Sequence, residues 1–263
     1  MIELQVRDVY KSFGGIQALN GVSFQIQSNQ LIGLIGPNGA GKTTLTNVLD
    51  GVYRPTGGQV WFNGERIDGL PPYEIARRGM GRTFQVTRAF RRMTVLENML
   101  VPAMALNPTA RQRDFHQRAW EVLEFLTMEH LARDYARSLS GGQQKLLELG
   151  RLLMLDPDII ILDEPFAGVH PKLMETIYEY IKVVHDQGKA FIIISHDMES
   201  IFTLSQRLLV LNFGELIADG HPSAVKRDPA VIEAYLGEEP EEEDGGIVVI
   251  DAGDLEDTEG LDA

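Results

Sequence analysis

The sequence predicts an α/β fold built on a parallel sheet with helices on both faces. Two observations carry that prediction. Short runs nearly continuous in Ile and Leu, at Gln30 to Ile35, Asp158 to Leu162 and Phe191 to Ile194, have the composition of strands buried on both sides. Stretches of helical periodicity separate the later runs, and strands that alternate with helices are parallel.

Taken in order, residues 1–35 read as strands. Val22 to Gln27 alternates with period two, and the run from Gln30 to Ile35 stops at Gly36. Asn38 to Gly41 breaks the chain, and a helix follows from about Gly41 to Leu49. Gly57-Gly58 reads as a turn into a strand over Gln59 to Phe62, closed by Asn63-Gly64. From about Thr94 to Ala136 the pattern is helical, with Trp120, Leu123 and Leu126, and Val122 and Phe125, at helical spacing. A helix after Gly142, the run at 158–162, a helix over Pro171 to Asp186 and the run at 191–194 complete the alternation. Two short strands, near Leu208 to Asn212 and Glu215 to Ala218, finish the body.

The chain carries a net charge of −14, but residues 237–263 hold twelve carboxylates and no Lys or Arg. Without them 26 acidic residues face 24 basic ones, so the body is close to neutral. That balance is unlike the basic surface of a nucleic-acid binder, and no nucleic acid is expected as a partner. The acidic tail, 237–263, reads as disordered despite the apolar island Ile247-Val-Val-Ile250. With no cysteine, disulfides and thiolate chemistry are excluded. The charged N-terminal residues do not resemble a signal peptide, and no apolar stretch approaches the ~18–20 residues that span a bilayer. A membrane role must come through a partner.

The strongest chemical signal is Gly36-Pro-Asn-Gly-Ala-Gly-Lys42-Thr43, a phosphate-binding loop between an apolar strand and a helix. Its glycines let backbone N–H groups crowd around phosphates, and the helix N-terminus adds its positive dipole end. In that arrangement Lys42 reaches the β- and γ-phosphates and the Thr43 hydroxyl binds Mg²⁺. The second signal is Asp163-Glu164, at the end of a buried parallel strand and so at the edge of the sheet where ligands bind. Acidic pairs also cap helices. Beside a phosphate loop, however, Asp163 reads as a magnesium ligand through water and Glu164 as the group that polarises the attacking water.

The third signal is Leu139-Ser-Gly-Gly-Gln143, which opens a helix between the other two. Here the sequence resembles the ATP-binding cassette (ABC) family, whose signature this is. The resemblance covers roughly residues 1–237. It implies a P-loop, RecA-like nucleotide-binding core with an N-terminal antiparallel β subdomain and an inserted α-helical subdomain. Residues 1–86 and 138–236 would form the core with the β subdomain, 87–137 the helical subdomain, and 237–263 the tail.

The resemblance also implies a site. Nucleotide contacts fall to Gly36, Pro37, Asn38, Gly39, Ala40, Gly41, Lys42, Thr43 and Thr44. In the family the signature residues Ser140, Gly141, Gly142 and Gln143 contact the γ-phosphate held by the other subunit. Gln85, in Gly81-Arg-Thr-Phe-Gln85, matches the glutamine that senses Mg²⁺ and the attacking water, so the metal set is Thr43, Gln85 and Asp163. Catalysis falls to Glu164, Gln85 and His196; the last, in Ile194-Ser-His-Asp197, stabilises charge in the transition state. Phe13 matches the aromatic that stacks on adenine, with Tyr10 a nearby rival. One departure stands out: where the family usually has an aspartate, this chain has His170.

Arg82-Thr-Phe-Gln85, Met93 to Asn98, Gly142 to Lys145 and Val231 to Gly237 look most like the ATPase subunits of importers of branched-chain amino acids or related small polar solutes, a group that includes relatives importing urea or amides. That resemblance implies ATP and Mg²⁺ as ligands, and as partners a second cassette, two transmembrane permeases and an extracytoplasmic solute-binding protein. It places the chain peripherally on the cytoplasmic face of the cell membrane. The Glu-Pro-Phe-Ala-Gly-Val stretch from Glu164 to Val169 also resembles the lipopolysaccharide-exporting ATPase. A cassette acting on DNA or ribosomes fits less well, because there is no long coiled coil and no second phosphate loop. The stretch containing Arg77, Arg78, Arg82, Arg88, Arg91 and Arg92 reads as a solvated face, as a docking surface for a permease helix, or as a nucleic-acid patch.

Overall fold

In the computed structural model, residues 2–83, 88–106 and 112–236 are described. The expectation of a disordered tail and the assignments to Gln85 lie outside these residues. Strands β1 (Glu3–Phe13), β2 (Ile16–Gln27), β4 (Gly57–Phe62) and β5 (Glu65–Arg66) form an antiparallel sheet in the order β2-β1-β4-β5. The larger sheet contains β3 (Leu31–Ile35), β6 (Met80–Arg82), β7 (Ile159–Asp163), β8 (Ala190–Ile194), β9 (Arg207–Asn212) and β10 (Glu215–Gly220). Its order is β10-β9-β3-β8-β7-β6; all pairings are parallel except that of β10, which closes a hairpin with β9.

Alternation along the central strands divides their side chains between two cores. Ile32, Leu34, Ile159, Ile161, Ile192 and Ile194 face the antiparallel sheet and helix α1 (Lys42–Leu49). Leu31, Ile160, Leu162, Phe191 and Ile193 face the opposite way. There they meet helices α3 (Val95–Leu106), α4 (Gln112–Phe125), α5 (Gly141–Leu155), α6 (Pro171–Asp186) and α7 (Met198–Leu204). Two-sided burial is why these strands are continuous rather than alternating in hydropathy.

Several boundaries differ from the sequence reading. Gly57-Gly58 is the start of β4 and not a turn before it. Gly58 has φ +81°, and a Cβ there would lie 2.1 Å from the Asp8 carbonyl oxygen, so glycine is needed for strand closeness rather than for reversal. The helical stretch expected over 94–136 ends near Leu126, where Thr127 takes φ +55°; 3-10 turns at Glu129–Leu131 and Ala136–Ser138 follow. Short elements passed unnoticed in the sequence: β5, β6, α7, α2 (Pro72–Arg77), α8 (Pro222–Val225) and α9 (Pro229–Leu236).

Candidate functional site

The phosphate loop leaves β3 at Ile35 and enters α1 at Lys42. Gly36, Gly39 and Gly41 have φ of +146°, +77° and +104°. Room is as decisive as φ at two of them. A Cβ on Gly36 would lie 2.0 Å from the Leu211 carbonyl oxygen, and one on Gly41 2.7 Å from that of Ala18. Lys42 is buried, and its Nζ donates to the carbonyls of Gly36 at 2.5 Å and Pro37 at 2.9 Å. The ammonium is thus held within the loop. From outside, the Gly214 N–H donates to Ala40 O at 2.9 Å and the Asn20 N–H to Gly214 O at 2.8 Å, tying the loop to the β9–β10 turn and to β2. Asn38, Gly39 and Thr43 are exposed.

At the end of β7, Asp163 pairs in register with Ile194 of β8, and this neighbourhood brings Asp163, Glu164 and His196 together. Asp163 Oδ2 accepts from Arg82 Nη2 at 2.8 Å. Glu164 is buried at φ +51°; its N–H donates to Ile194 O at 2.8 Å and its carbonyl accepts from Lys145 Nζ at 2.9 Å. The His196 N–H donates to Glu164 Oε2, and His196 Nε2 stands 3.3 Å from Oε1. Burial pushes the Glu164 carboxyl above the ordinary glutamate value, an effect that His196 opposes. The His196 ring is largely open to solvent while its carboxylate neighbour is not.

Phe13 is exposed and meets Tyr53 edge to face at 5.1 Å, with Lys11 Nζ 4.8 Å from the Phe13 ring centre. Tyr10 instead packs over Gly21 and Gly57, so that a Cβ on Gly21 would lie 3.1 Å from its hydroxyl. Tyr53 follows α1, and its N–H donates to Asn47 O of that helix. The Phe13 ring therefore lies against a residue anchored to the phosphate-loop helix.

Ser140 is the N-cap of α5. Its hydroxyl accepts from the Gln143 N–H at 3.3 Å, and the Ser140 N–H donates to Gln143 Oε1 at 2.9 Å, a reciprocal capping box. The hydroxyl keeps its own hydrogen to donate. Among the described residues, no hydrogen bond joins residues 140–143 to the phosphate loop. Ser140 and Gly141 are exposed, whereas a Cβ on Gly142 would lie 2.7 Å from a Leu173 methyl.

His170 is exposed and caps α6, its Nδ1 accepting from the Lys172 N–H at 3.3 Å. With Nδ1 as the acceptor, the ring does locally what an aspartate does at an N-cap, so the helix start tolerates the replacement. Arg82 corrects the sequence reading. It does not belong to a solvated or docking face: its side chain is 5% exposed and paired with Asp50 and Asp163. Arg78 pairs with Glu65 and Glu74, in keeping with a balanced surface. Sequence reasoning also missed Lys145, Thr83 and Tyr53. The strand carrying Arg82 is three residues long, too short to signal its burial.

Comparison with known proteins bears on this geometry. The ABC transporter family model matches residues 19–167, and the branched-chain amino acid ATP-binding cassette transporter model matches residues 215–241. A high-affinity branched-chain amino acid transport ATP-binding protein of Pseudomonas aeruginosa is 39% identical, the match covering 89% of this chain and 98% of the relative. A probable protein of the same kind from Archaeoglobus fulgidus is 36% identical over 93% of this chain and 99% of its own. Among solved structures, the ADP conformation of an ATP-binding cassette of an ABC transporter matches with a TM-score of 0.79 and 36% identity, covering 90% of this chain and all of that one. A dimeric cassette in a post-hydrolysis state, bound to ADP and phosphate, matches with a TM-score of 0.76 and 27% identity, over 83% of this chain and 98% of its own. With its phosphate loop, terminal-strand carboxylates and capped signature helix, this chain belongs to the ATPase cassettes of the ABC transporter family.

Proposed function

We propose that this chain is the ATP-hydrolysing subunit of an importer of branched-chain amino acids, acting as one of two cassettes that enclose ATP between them. Support for the substrate class comes from the relatives' names and from the match of residues 215–241. The observation that carries the shared site is the separation of its halves. Loop, acidic pair and histidine gather on one sheet edge, while the Ser140 turn is exposed and, among the described residues, makes no hydrogen bond to the phosphate loop of its own chain. A facing cassette therefore supplies that turn, and a cassette alone hydrolyses ATP poorly.

Residues 36–44 bind the phosphates, with Lys42 leaving the loop carbonyls for phosphate oxygens. Phe13 stacks on the base. Glu164 orients the attacking water, and its burial and neighbours fix its direction. His196 and Gln85 complete the catalytic set. The donors fit a magnesium ion carried in by the nucleotide. Thr43 is exposed at the loop, no bond to Asp163 Oδ1 is made among the described residues, and no protein-only cluster of three or more metal-binding side chains is found among them. When bound, Mg²⁺ neutralises charge on the phosphates. Thr43, Asp163 and Gln85 are the residues that would hold it.

Residues 1–86 and 138–236 are taken as the core with its β subdomain, 87–137 as the helical subdomain and 237–263 as a tail. Among the described residues, no helix is long and apolar enough to cross a membrane. The cassette sits peripherally on the cytoplasmic face, beneath two permeases fed by a solute-binding protein. The test is purification of the complex from membranes, followed by reconstitution in vesicles. ATP-dependent uptake of leucine, isoleucine and valine, abolished by Lys42→Ala, is expected. Uptake of an unrelated solute alone, or export, overturns the assignment.

A further inference from the structure

We propose that Arg82 and Thr83 form a clamp that sets Asp163 for its metal, with Arg82 as a positioning residue tying that carboxylate to the phosphate-loop helix. The inference rests on Asp163 being the metal-side carboxylate. Arg82 Nη2 donates to Asp163 Oδ2 at 2.8 Å, and Nη1 donates to Asn47 Oδ1 and Asp50 Oδ2, each at 2.7 Å. Asn47 lies in α1, and Asp50 follows its last residue. One planar guanidinium therefore joins the end of β7 to the end of the helix that starts at the phosphate loop. A lysine, a single point donor on a flexible stem, cannot hold all three acceptors in those directions.

The next residue grips the backbone of the same aspartate. Thr83 is buried; its Oγ1 accepts from the Asp163 N–H at 3.1 Å, and its own N–H donates to Ile161 O at 2.9 Å. Main chain and side chain of Asp163 are both fixed by two consecutive residues at the end of β6. Buried ion pairs add little net stability, because desolvation offsets the attraction. Their use here is orientation. Arg82 engages Asp163 through Oδ2 alone, and Asp163 Oδ1 accepts no hydrogen bond among the described residues. The free Oδ1 is the atom this arrangement leaves open toward a cation.

The test measures ADP affinity of the full chain by calorimetry, in EDTA and in Mg²⁺, together with melting temperature. Asp163→Asn serves as the reference and loses the gain in affinity that Mg²⁺ confers. Arg82→Lys keeps its affinity in EDTA but loses about tenfold of the magnesium-dependent gain, as loss of a group supporting a metal ligand does. Arg82→Met, similar in volume and uncharged, behaves like Arg82→Lys and covers the case in which one variant folds poorly. If Asp163→Asn loses the gain and Arg82→Lys and Arg82→Met keep it, the clamp is refuted while the metal site stands. Equal losses in EDTA and in Mg²⁺ would reduce Arg82 to a structural residue and also refute it. If Asp163→Asn keeps the full gain, the metal reading falls and the clamp with it.

Discussion

Glu164 holds a left-handed backbone conformation that costs a non-glycine residue on the order of 1–3 kcal/mol. Ile194 O and Lys145 Nζ grip it from both sides of its peptide, so the surroundings impose the conformation. Burial raises its pKa, which fixes the sign of two effects. Above the unfolded-state value, the unfolded chain loses this proton before the folded one does, so stability falls as pH rises toward the folded value and stays lowered beyond it. Glu164→Gln should therefore raise the melting temperature at neutral pH and leave it nearly unchanged near pH 4. In the complex the same variant should bind ATP and lose about 100-fold or more in turnover. Normal turnover would remove Glu164 from catalysis. Phe13→Ala should weaken ATP binding by about 1–3 kcal/mol, the scale of base–aromatic stacking, while Tyr10→Ala changes it little. The reverse result would move the stack to Tyr10. Lys42, Asp163 and His196 could be singled out in the sequence because the proposed chemistry calls for their types at fixed places after buried strands. Arg82 was not, since an arginine in an arginine-rich stretch reveals its burial only once β6 stands beside β7.

At the scale of elements, α5 begins with a capping box whose hydroxyl also lies on the exposed turn. Ser140→Ala should cost about 1 kcal/mol of stability through the lost cap. It should leave nucleotide affinity of the single cassette intact and lower ATP turnover of the assembled pair, measured in parallel by calorimetry and phosphate release. A fall in single-cassette affinity would place Ser140 in its own chain's site. The central strands, α1 and α6 could be read from the sequence because burial on two faces, a glycine loop and a Pro start leave strong local signals. The short elements β5, β6, α2, α7 and α8 could not. Two to seven residues carry too little periodicity, and tertiary contacts decide their form. The same holds for the end of the helical stretch, where the left-handed Thr127 stops α4's continuation.

Across the whole molecule, two cores share one sheet, so each central strand sets both the phosphate-loop side and the α5–α6 side. Lys145 of α5 donates to the Glu164 and Ala167 carbonyls, joining the helix that begins after Ser140 to the segment that follows β7. The acidic tail was legible as charge and composition only. Deleting 238–263 should leave ATP turnover of the complex unchanged, and a large loss would make the tail part of the machine. The sandwich itself is tested most directly by sedimentation of the Glu164→Gln cassette with ATP and Mg²⁺, alone and with its second cassette, against the same chain carrying Ser140→Arg. A two-cassette particle that requires ATP, and that Ser140→Arg dissolves without loss of nucleotide binding, is the predicted result. A single cassette that stays monomeric with ATP in both settings, or a pair indifferent to Ser140→Arg, would contradict it.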